Sequence, residues 1–224
     1  MSLDKIVRRG IEKEDEERQE ITEDEKEDYI EERTEYRNEY DATLETQITA
    51  DALTGLTNRK GLTNELERVL KAMRQTVEKH RANEQTALEE FSLLYIDLDN
   101  FKCLNDALGH TAGDIALNRV AEILKSSIRE TEVATRLHGD EFMVFLPRVT
   151  EAGAGEVAQK IQEKLSKDLE FKKYEVGASI GLRHISKSDL SEQVTPETLI
   201  KEADLQQMKA KQNGKGKIEI HQVQ

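Results

Sequence analysis

Two pairs of acidic residues at the ends of short apolar segments are the main candidates for chemistry in this 224-residue sequence. Asp97 ends the apolar run 92–97 and Asp99 follows two residues later, while Asp140 and Glu141 lie between two further apolar segments. Carboxylates held at rigid strand ends suit Mg²⁺, which takes oxygen ligands and usually shares its shell with substrate phosphates. If the two strands are neighbours, Asp97 and Glu141 can hold a metal between them. Acidic residues are also common as turn and cap residues, so spacing alone leaves both interpretations open.

The segment after the first acidic pair is rich in hydrogen-bonding side chains and poor in helix-forming residues. It contains Asn105, His110 and Asp114. Asn and Asp provide the donors and acceptors that can read a purine edge and bind ribose. We predict that the preceding stretch, 101–104, is a loop whose backbone N–H groups can cradle phosphate. Three lysines are candidate phosphate counter-charges, although each alone is more often a solvated surface residue: Lys102, Lys211 and Lys215.

An alternation of strands and helices is predicted to position these residues. The predicted strands are 92–97, 133–136, 141–146, 174–182 and 218–221, and the predicted helices are 59–90, 115–128, 151–165 and 195–212. Gly139 can adopt the positive φ that a hairpin turn needs. Thr195 is the expected N-cap of the last helix, with Pro196 at its first position. This order predicts an α/β (α+β) fold, a mixed central sheet with flanking helices and one β-hairpin.

The negative charge is concentrated in the first 50 residues. The whole chain has a net charge of −13; residues 1–50 hold 18 acidic and 8 basic residues, and residues 51–224 have a net charge of only −3. We therefore predict an acidic helical leader or stalk, 1–50, followed by one domain, 51–224. An apolar stripe in the leader fits either a dimerising coiled coil or a solvated helix: Tyr29, Tyr36, Tyr40, Leu44 and Ile48. Neither part has the basic surface expected of a nucleic-acid-binding protein.

The sequence predicts a cytoplasmic protein. No segment approaches the roughly 18 consecutive apolar residues that a membrane-spanning helix needs. The N-terminal residues do not show the pattern of a signal peptide. The single cysteine, Cys103, excludes an internal disulfide and favours a reducing compartment.

Several short motifs follow one another along the domain. They are DALTGLTNR at 51–59, DLDNFK at 97–102, NDALGH at 105–110, GD at 113–114, HGDEF at 138–142, ASIG at 178–181, and AD at 203–204 with MKAK at 208–211. One motif alone would be a weak signal, whereas the set in this order is specific for one fold. In this set the domain resembles the GGDEF family of diguanylate cyclases, whose signature is represented here by His138-Gly139-Asp140-Glu141-Phe142.

The resemblance implies a metal-dependent transferase. Two GTP molecules, held by two domains in a head-to-tail homodimer, would be condensed into cyclic di-GMP and pyrophosphate. The implied cofactor is Mg²⁺ (or Mn²⁺), with Asp97, the Leu98 carbonyl and Glu141 as ligands. Asp140 would serve as general base or as a further metal partner, and Lys102 would assist catalysis.

The resemblance also assigns the substrate contacts. Asn105 and Asp114 would read guanine, and His110 would lie nearby. The backbone at Phe101 and Lys102 would hold phosphates, together with two lysine side chains, Lys211 and Lys215.

Three positions depart from the family pattern. His138 stands where the family has Gly, and Lys215 stands where the family usually has Arg, which loses a bidentate donor. Arg129 and Glu132 occupy the place of the Arg-x-x-Asp motif of product inhibition, and an ordinary surface ion pair is the alternative. These departures keep a second hypothesis open, a catalytically silent GGDEF domain that binds GTP or cyclic di-GMP as a regulatory module.

Overall fold

The computed structural model describes residues 48–78 and 88–221. Residues 1–47 of the predicted acidic leader lie outside this part, and so do four of the five residues of its apolar stripe. Within the described residues, no helix has the length and apolar composition needed to cross a membrane.

A mixed sheet of six strands organises the described part of the chain. The order across the sheet is β1-β3-β4-β2-β5-β6; the two outer pairs, β1–β3 and β5–β6, are parallel, and the three inner pairs are antiparallel. The strands are β1 (Thr57–Asn58), β2 (Glu90–Asp99), β3 (Val133–His138), β4 (Glu141–Pro147), β5 (Gly177–Ser186) and β6 (Ile218–Ile220). The predicted mixed sheet with one hairpin, β3–β4, is confirmed.

Helices cover both faces of the sheet. They are α1 (Arg59–Glu78), α2 (Phe101–Leu108), α3 (His110–Lys125), α4 (Glu151–Lys167), α5 (Leu169–Lys173) and α6 (Pro196–Gln212). One apolar cluster joins α1 and α6 to one face, and another joins α2, α3, α4 and α5 to the other. The described residues from Ile48 onward therefore form three layers, α/β/α, which bury both faces of the central strands.

Several local predictions are confirmed. The Thr195 hydroxyl accepts a hydrogen bond from the Thr198 N–H at 3.2 Å, and Pro196 begins α6. Gly139 adopts a φ of +51° in the hairpin turn. The helical apolar faces predicted along 59–78 and 115–125 are buried wherever their side chains are described: Leu62, Leu66, Val69, Leu70, Met73, Leu117, Val120, Ile123 and Leu124.

The prediction for the segment after β2 was wrong. Residues 101–108 form helix α2 rather than a loop, and the next helix begins at His110 rather than at residue 115. Phe101 and Leu104 are spaced one turn apart and are buried against the sheet, so packing overrides the weak helical propensity of the segment. Gly109, with a φ of +85°, separates the two helices.

The predicted first helix was drawn too long. Glu90 belongs to β2, which starts two residues before the predicted strand, and α1 ends at Glu78. Phe91 and Ser92 are fully buried inside the sheet. The acidic Glu90 favoured the helical prediction, although it is the first residue of a strand whose central residues are buried on both faces.

Helix α6 lies unusually close to β5 at Gly181. A Cβ built on Gly181 would lie 2.1 Å from the Ala203 carbonyl oxygen and 2.4 Å from the Gln207 backbone nitrogen. Only a residue without a side chain permits this approach. The contact fixes the height of α6 above the sheet and so positions Asp204 and Lys211, which lie farther along the same helix.

A network of hydrogen bonds and one ion pair connects the β3–β4 hairpin to the loop before β1. The Asp51 carboxylate accepts hydrogen bonds from the Thr54 N–H at 2.9 Å and the Thr54 hydroxyl at 2.6 Å, and Arg136 Nη1 lies 3.2 Å from Asp51 Oδ1. The same guanidinium donates to the Gly139 carbonyl oxygen at 2.9 and 3.0 Å. Burial raises the pKa of Asp51, but the Thr54 hydrogen bonds and Arg136 outweigh it, so the net pKa is lowered.

An Asp51→Asn variant is expected to be less stable than the parent by about 1–2 kcal/mol at pH 7. Because the folded pKa of Asp51 lies below its unfolded value, its stabilisation is fully present above the unfolded pKa, near 4, and is lost as the pH falls through the folded pKa. Urea unfolding at pH 7, 5 and 3 should therefore show the two proteins converging at the acidic end. A constant difference at all three pH values would contradict the role of the carboxylate charge.

Candidate active site

The two acidic strand ends meet at one edge of the sheet. Strands β2 and β4 are direct neighbours, with Asp97 opposite Glu141 in the register. The Leu98 N–H donates to the Asp140 carbonyl oxygen at 3.3 Å, so the ladder extends to the hairpin turn. The condition that the sequence left open, adjacency of the two strands, is therefore met.

Asp97 is almost buried and paired with a lysine from α6. Asp97 is 8% exposed, and Lys211 Nζ lies 2.5 Å from Asp97 Oδ1. The pKa of Asp97 is raised to about 6: burial is the main cause and the charges of Asp140 and Glu141 add to it, while the Lys211 ammonium opposes the rise. Three carboxylates therefore repel one another at this edge, and one internal cation compensates part of that charge.

Glu141 is contacted by Tyr95, which the sequence did not assign to the site, and by His138, which the sequence marked as a departure from the family signature. The Tyr95 hydroxyl donates to Glu141 Oε2, and His138 Nε2 lies 3.2 Å from the same oxygen. Asp204 of α6 joins this group electrostatically: burial raises the pKa of Asp204, Glu141 raises it further, and His138 and Lys211 lower it. Tyr95 lies two residues before Asp97, so both side chains are on one face of β2, but the spacing does not show that Tyr95 reaches Glu141 on the neighbouring strand.

The donor set fits a hard divalent cation. Among residues 48–78 and 88–221, no three His, Cys, Asp or Glu side chains are already arranged to hold a metal together, and the Lys211 ammonium lies against Asp97. The chemistry is nonetheless that of an oxygen-ligand site, since mutual repulsion of carboxylates is relieved by a cation. The residues predicted to bind it are Asp97, the Leu98 carbonyl, Asp140 and Glu141.

Helices α2 and α3 carry the residues predicted to bind the nucleotide. The Asn105 Oδ1 atom is buried and has no hydrogen-bond partner among the described residues. A Cβ built on Gly113 would lie 1.9 Å from that oxygen, so the absence of a side chain at Gly113 allows this rotamer of Asn105. Lys102, His110 and Asp114 are exposed. A buried amide oxygen without a partner, beside exposed polar groups, is suited to a polar ligand.

The predicted role of the Phe101 backbone is compatible with a helix. Phe101 and Lys102 form the first turn of α2, and the first intrahelical N–H donors are those of Cys103 and Leu104, which both donate to the Asn100 carbonyl oxygen. N–H groups at the start of a helix have no partner within it and are suited to anions. The Phe101 side chain itself is a core residue, 7% exposed.

Lys215 lies in the segment between α6 and β6, and Asp99 at the end of β2 contacts the same segment. Lys215 Nζ donates to Asn100 Oδ1 at 3.0 Å, next to the start of α2. The Asp99 carboxylate accepts hydrogen bonds from the Ser179 hydroxyl at 2.8 and 3.0 Å and from the Gly216 N–H at 2.9 Å. Asp99 therefore ties β2 to the segment that carries Lys215.

Arg129 and Glu132 lie at the other end of β3 from the hairpin. Glu132 Oε2 accepts a hydrogen bond from the Arg129 backbone N–H at 2.7 Å, and the Glu132 residue is 8% exposed. Thus Glu132 closes the turn between α3 and β3 through the backbone. Arg129 also lines a groove of about 350 Å³ together with Lys125 and Gly55.

Comparison with known proteins gives consistent matches. The family model for the diguanylate cyclase GGDEF domain matches residues 48–217. The diguanylate cyclase DgcS of Shewanella oneidensis is 33% identical over 181 residues, which cover 81% of this chain and 55% of that protein. The probable diguanylate cyclase DgcE of Escherichia coli is 32% identical over 178 residues, 78% of this chain and 15% of that protein. The chain thus spans about half of one relative and a small part of the other.

Solved structures show the same fold. The coiled coil and GGDEF domain of DgcB from Caulobacter crescentus, in complex with c-di-GMP, superposes with a TM-score of 0.69 at 20% identity, covering 88% of this chain and 98% of that chain. The GGDEF domain of YfiN (TpbB) from Pseudomonas aeruginosa gives a TM-score of 0.62 at 29% identity, covering 76% and 99%. With the family model matched over most of the sequence, this chain belongs to the GGDEF domain family.

Proposed function

We propose that this chain is a diguanylate cyclase, which condenses two GTP molecules into cyclic di-GMP and two pyrophosphates. The observation that carries the proposal is the register of β2 and β4, which sets Asp97 opposite Glu141 beside Asp140. Relatives named as diguanylate cyclases support the activity. The departures at His138 and Lys215 leave these acidic residues in place.

The proposed reaction requires that the site position the two nucleotides and compensate negative charge. In each half-reaction a 3′-hydroxyl oxygen forms a bond to the α-phosphorus of the other GTP, and the bond from that phosphorus to pyrophosphate breaks. The hydroxyl proton passes to a carboxylate, for which Asp140 is the candidate. Phosphoryl transfer depends mainly on alignment and on neutralising the charge that develops. In the proposed site, Asp97 and Glu141 at the ends of the two central strands would hold the divalent cation in place. That cation, together with the lysines, would neutralise the developing charge.

We propose that the carboxylates bind the cation and that the lysines bind the phosphates. Mg²⁺ (or Mn²⁺) would be held by Asp97, the Leu98 carbonyl, Asp140 and Glu141. When bound, such a cation stabilises charge on the phosphoryl oxygens. The phosphate contacts are assigned to the first turn of α2 and to three lysines: Lys102, Lys211 and Lys215.

The guanine base is assigned to the α2–α3 side of the site. Asn105 would accept or donate hydrogen bonds through its amide, and Asp114 would accept them from the base. His110 lies between the two along the chain. The Asn105 Oδ1 atom is buried and has no hydrogen-bond partner in the part of the chain that the structure describes, which supports this assignment, because a purine N–H donor would satisfy it.

The proposal extends to assembly and location. Because each domain binds one GTP and the product joins two, catalysis would need a homodimer. Residues 51–224 would form the catalytic domain and residues 1–50 an acidic stalk. GTP as substrate and an exposed free thiol at Cys103 favour the cytoplasm.

Incubation of the purified protein with GTP and Mg²⁺ is expected to produce cyclic di-GMP, measured by liquid chromatography. Asp97→Asn and Glu141→Gln variants should lose at least about a hundredfold in rate, because each removes a ligand charge from the cation site. Circular dichroism would confirm that both variants fold. GTP binding without any product at high protein concentration would contradict the cyclase and favour the silent regulatory module.

A Gly113→Ala variant is expected to weaken binding of a non-hydrolysable GTP analogue by about tenfold to a hundredfold, because the new methyl group displaces the Asn105 amide. Calorimetry with the GTP and ATP analogues would also show reduced preference for guanine. The matched control is Gly155→Ala in α4, where an added Cβ meets nothing within 4 Å. Equal GTP affinity in the Gly113→Ala variant and the control would refute the positioning of Asn105 by Gly113.

A Lys211→Met variant is expected to bind Mn²⁺ more tightly than the parent without nucleotide, by about tenfold, because the ammonium no longer competes for Asp97. The same variant should bind the GTP analogue more weakly, since a phosphate counter-charge is lost. Lys209→Met is the control, because Lys209 on the same helix contacts Gln206 instead, at 3.1 Å. Weaker Mn²⁺ binding in Lys211→Met would show that the ion pair does not oppose the cation.

A further inference from the structure

Glu141 is fixed through one of its two carboxylate oxygens. Both the Tyr95 hydroxyl and the His138 ring contact Oε2. A carboxylate bound at one oxygen loses rotation about its last torsion, so the direction of the other oxygen is also set. The orientation of Glu141 is thus determined by the two side chains that flank it.

Tyr95 reaches Glu141 from a rigid position in the sheet. It lies opposite Met143 in the β2–β4 register, and Asp97 lies opposite Glu141 two residues farther along. All four side chains therefore project from one face, and Tyr95 and Glu141 form a diagonal cross-strand pair, which aromatic side chains can span. The Tyr95 residue is only 5% exposed, and its ring belongs to the apolar cluster beneath α1 and α6.

The Tyr95 hydroxyl donates its hydrogen bond to a carboxylate oxygen of Glu141. A protonated phenol beside an ionised carboxylate makes a charge-assisted hydrogen bond, which is stronger than a neutral one. Loss of the hydroxyl would leave Oε2 without its buried partner.

His138 provides a second, more exposed contact. Its side chain is 61% exposed, against 24% for Glu141. The residue lies where β3 shifts register against β4, between Arg136 and His138, and this shift places the ring beside Glu141. The histidine that departs from the family signature therefore contacts an acid of that signature.

We propose that Tyr95, assisted by His138, is a positioning residue that holds Glu141 in the orientation required for the divalent cation. The proposal rests on the proposed function for the role of the cation. It concerns metal binding directly, so it can be tested whether or not the protein makes cyclic di-GMP. Partners that orient metal ligands typically change metal affinity or activity by about 10–100-fold when they are removed.

The test compares Tyr95→Phe with Tyr174→Phe. The first change keeps the buried ring and removes only the hydroxyl; the control removes a hydroxyl from a tyrosine that packs on the opposite face of the sheet. Binding of Mn²⁺ is measured by electron paramagnetic resonance, without nucleotide and with a non-hydrolysable GTP analogue. Tyr95→Phe should weaken Mn²⁺ binding about tenfold, while the control matches the parent and both variants keep their circular dichroism spectra.

A second comparison shows whether Tyr95 acts through Glu141. In a Glu141→Gln background, the Tyr95→Phe change should have no further effect on Mn²⁺ affinity, because the group that it orients has lost its charge. A His138→Ala change should weaken Mn²⁺ binding by less than Tyr95→Phe does, and His138→Gln, which keeps a donor, should restore part of the loss.

Three results would overturn the proposal: unchanged Mn²⁺ affinity in Tyr95→Phe, an equal effect of Tyr95→Phe with and without Glu141, or no Mn²⁺ binding to the parent under either condition. Failure of the proposed function is recognised separately. In that case the parent would bind Mn²⁺ in the way that the two comparisons predict and yet form no cyclic di-GMP from GTP.

Discussion

The antiparallel pairing of β2 with β4 is the constraint on which the candidate site depends. Seven residue pairs hold the register from Phe91–Pro147 to Asp97–Glu141. Because side chains alternate across a strand, a slip by one residue would move every side chain to the other face. The apolar residues on both faces of these strands fix that register, since each face is buried under helices. Core packing therefore determines where the two carboxylates meet.

The local electrostatics follow from that register. A net charge of −13 describes the whole chain, but the site is governed by three acidic residues at one sheet edge. Lys211 from α6 is paired with Asp97, while Tyr95 and His138 contact Glu141. The close packing of α6 at Gly181 is what allows Lys211 to lie here. The acidic side chains of the site are thus held in place by Lys211, Tyr95 and His138. This arrangement is compatible with a nucleotide that binds together with a divalent cation.

The departures from the family signature acquire physical meaning in the structure. The largely exposed ring of His138 contacts the Glu141 carboxylate. Lys215, with a φ of +59°, reaches Asn100 at the start of α2. Glu132 is bound to the backbone of its own turn, so its carboxylate has a structural partner at a position that the family resemblance linked to product inhibition. These contacts explain how the fold accommodates residues that differ from the family pattern.

The sequence by itself determined the family, the fold class and the acidic pairs, because ordered motifs and local apolar patterns carry that information. The cap at Thr195 and the turn at Gly139 were likewise predictable, since both depend on residues close in sequence. Helix α2 was not, because the burial of Phe101 comes from strands that are distant in the chain. The hydrogen bond from Tyr95 to Glu141 and the ion pair of Lys211 with Asp97 were also decided only by the tertiary structure. Cross-strand register and helix height bring such side chains together, and neither can be read from local spacing.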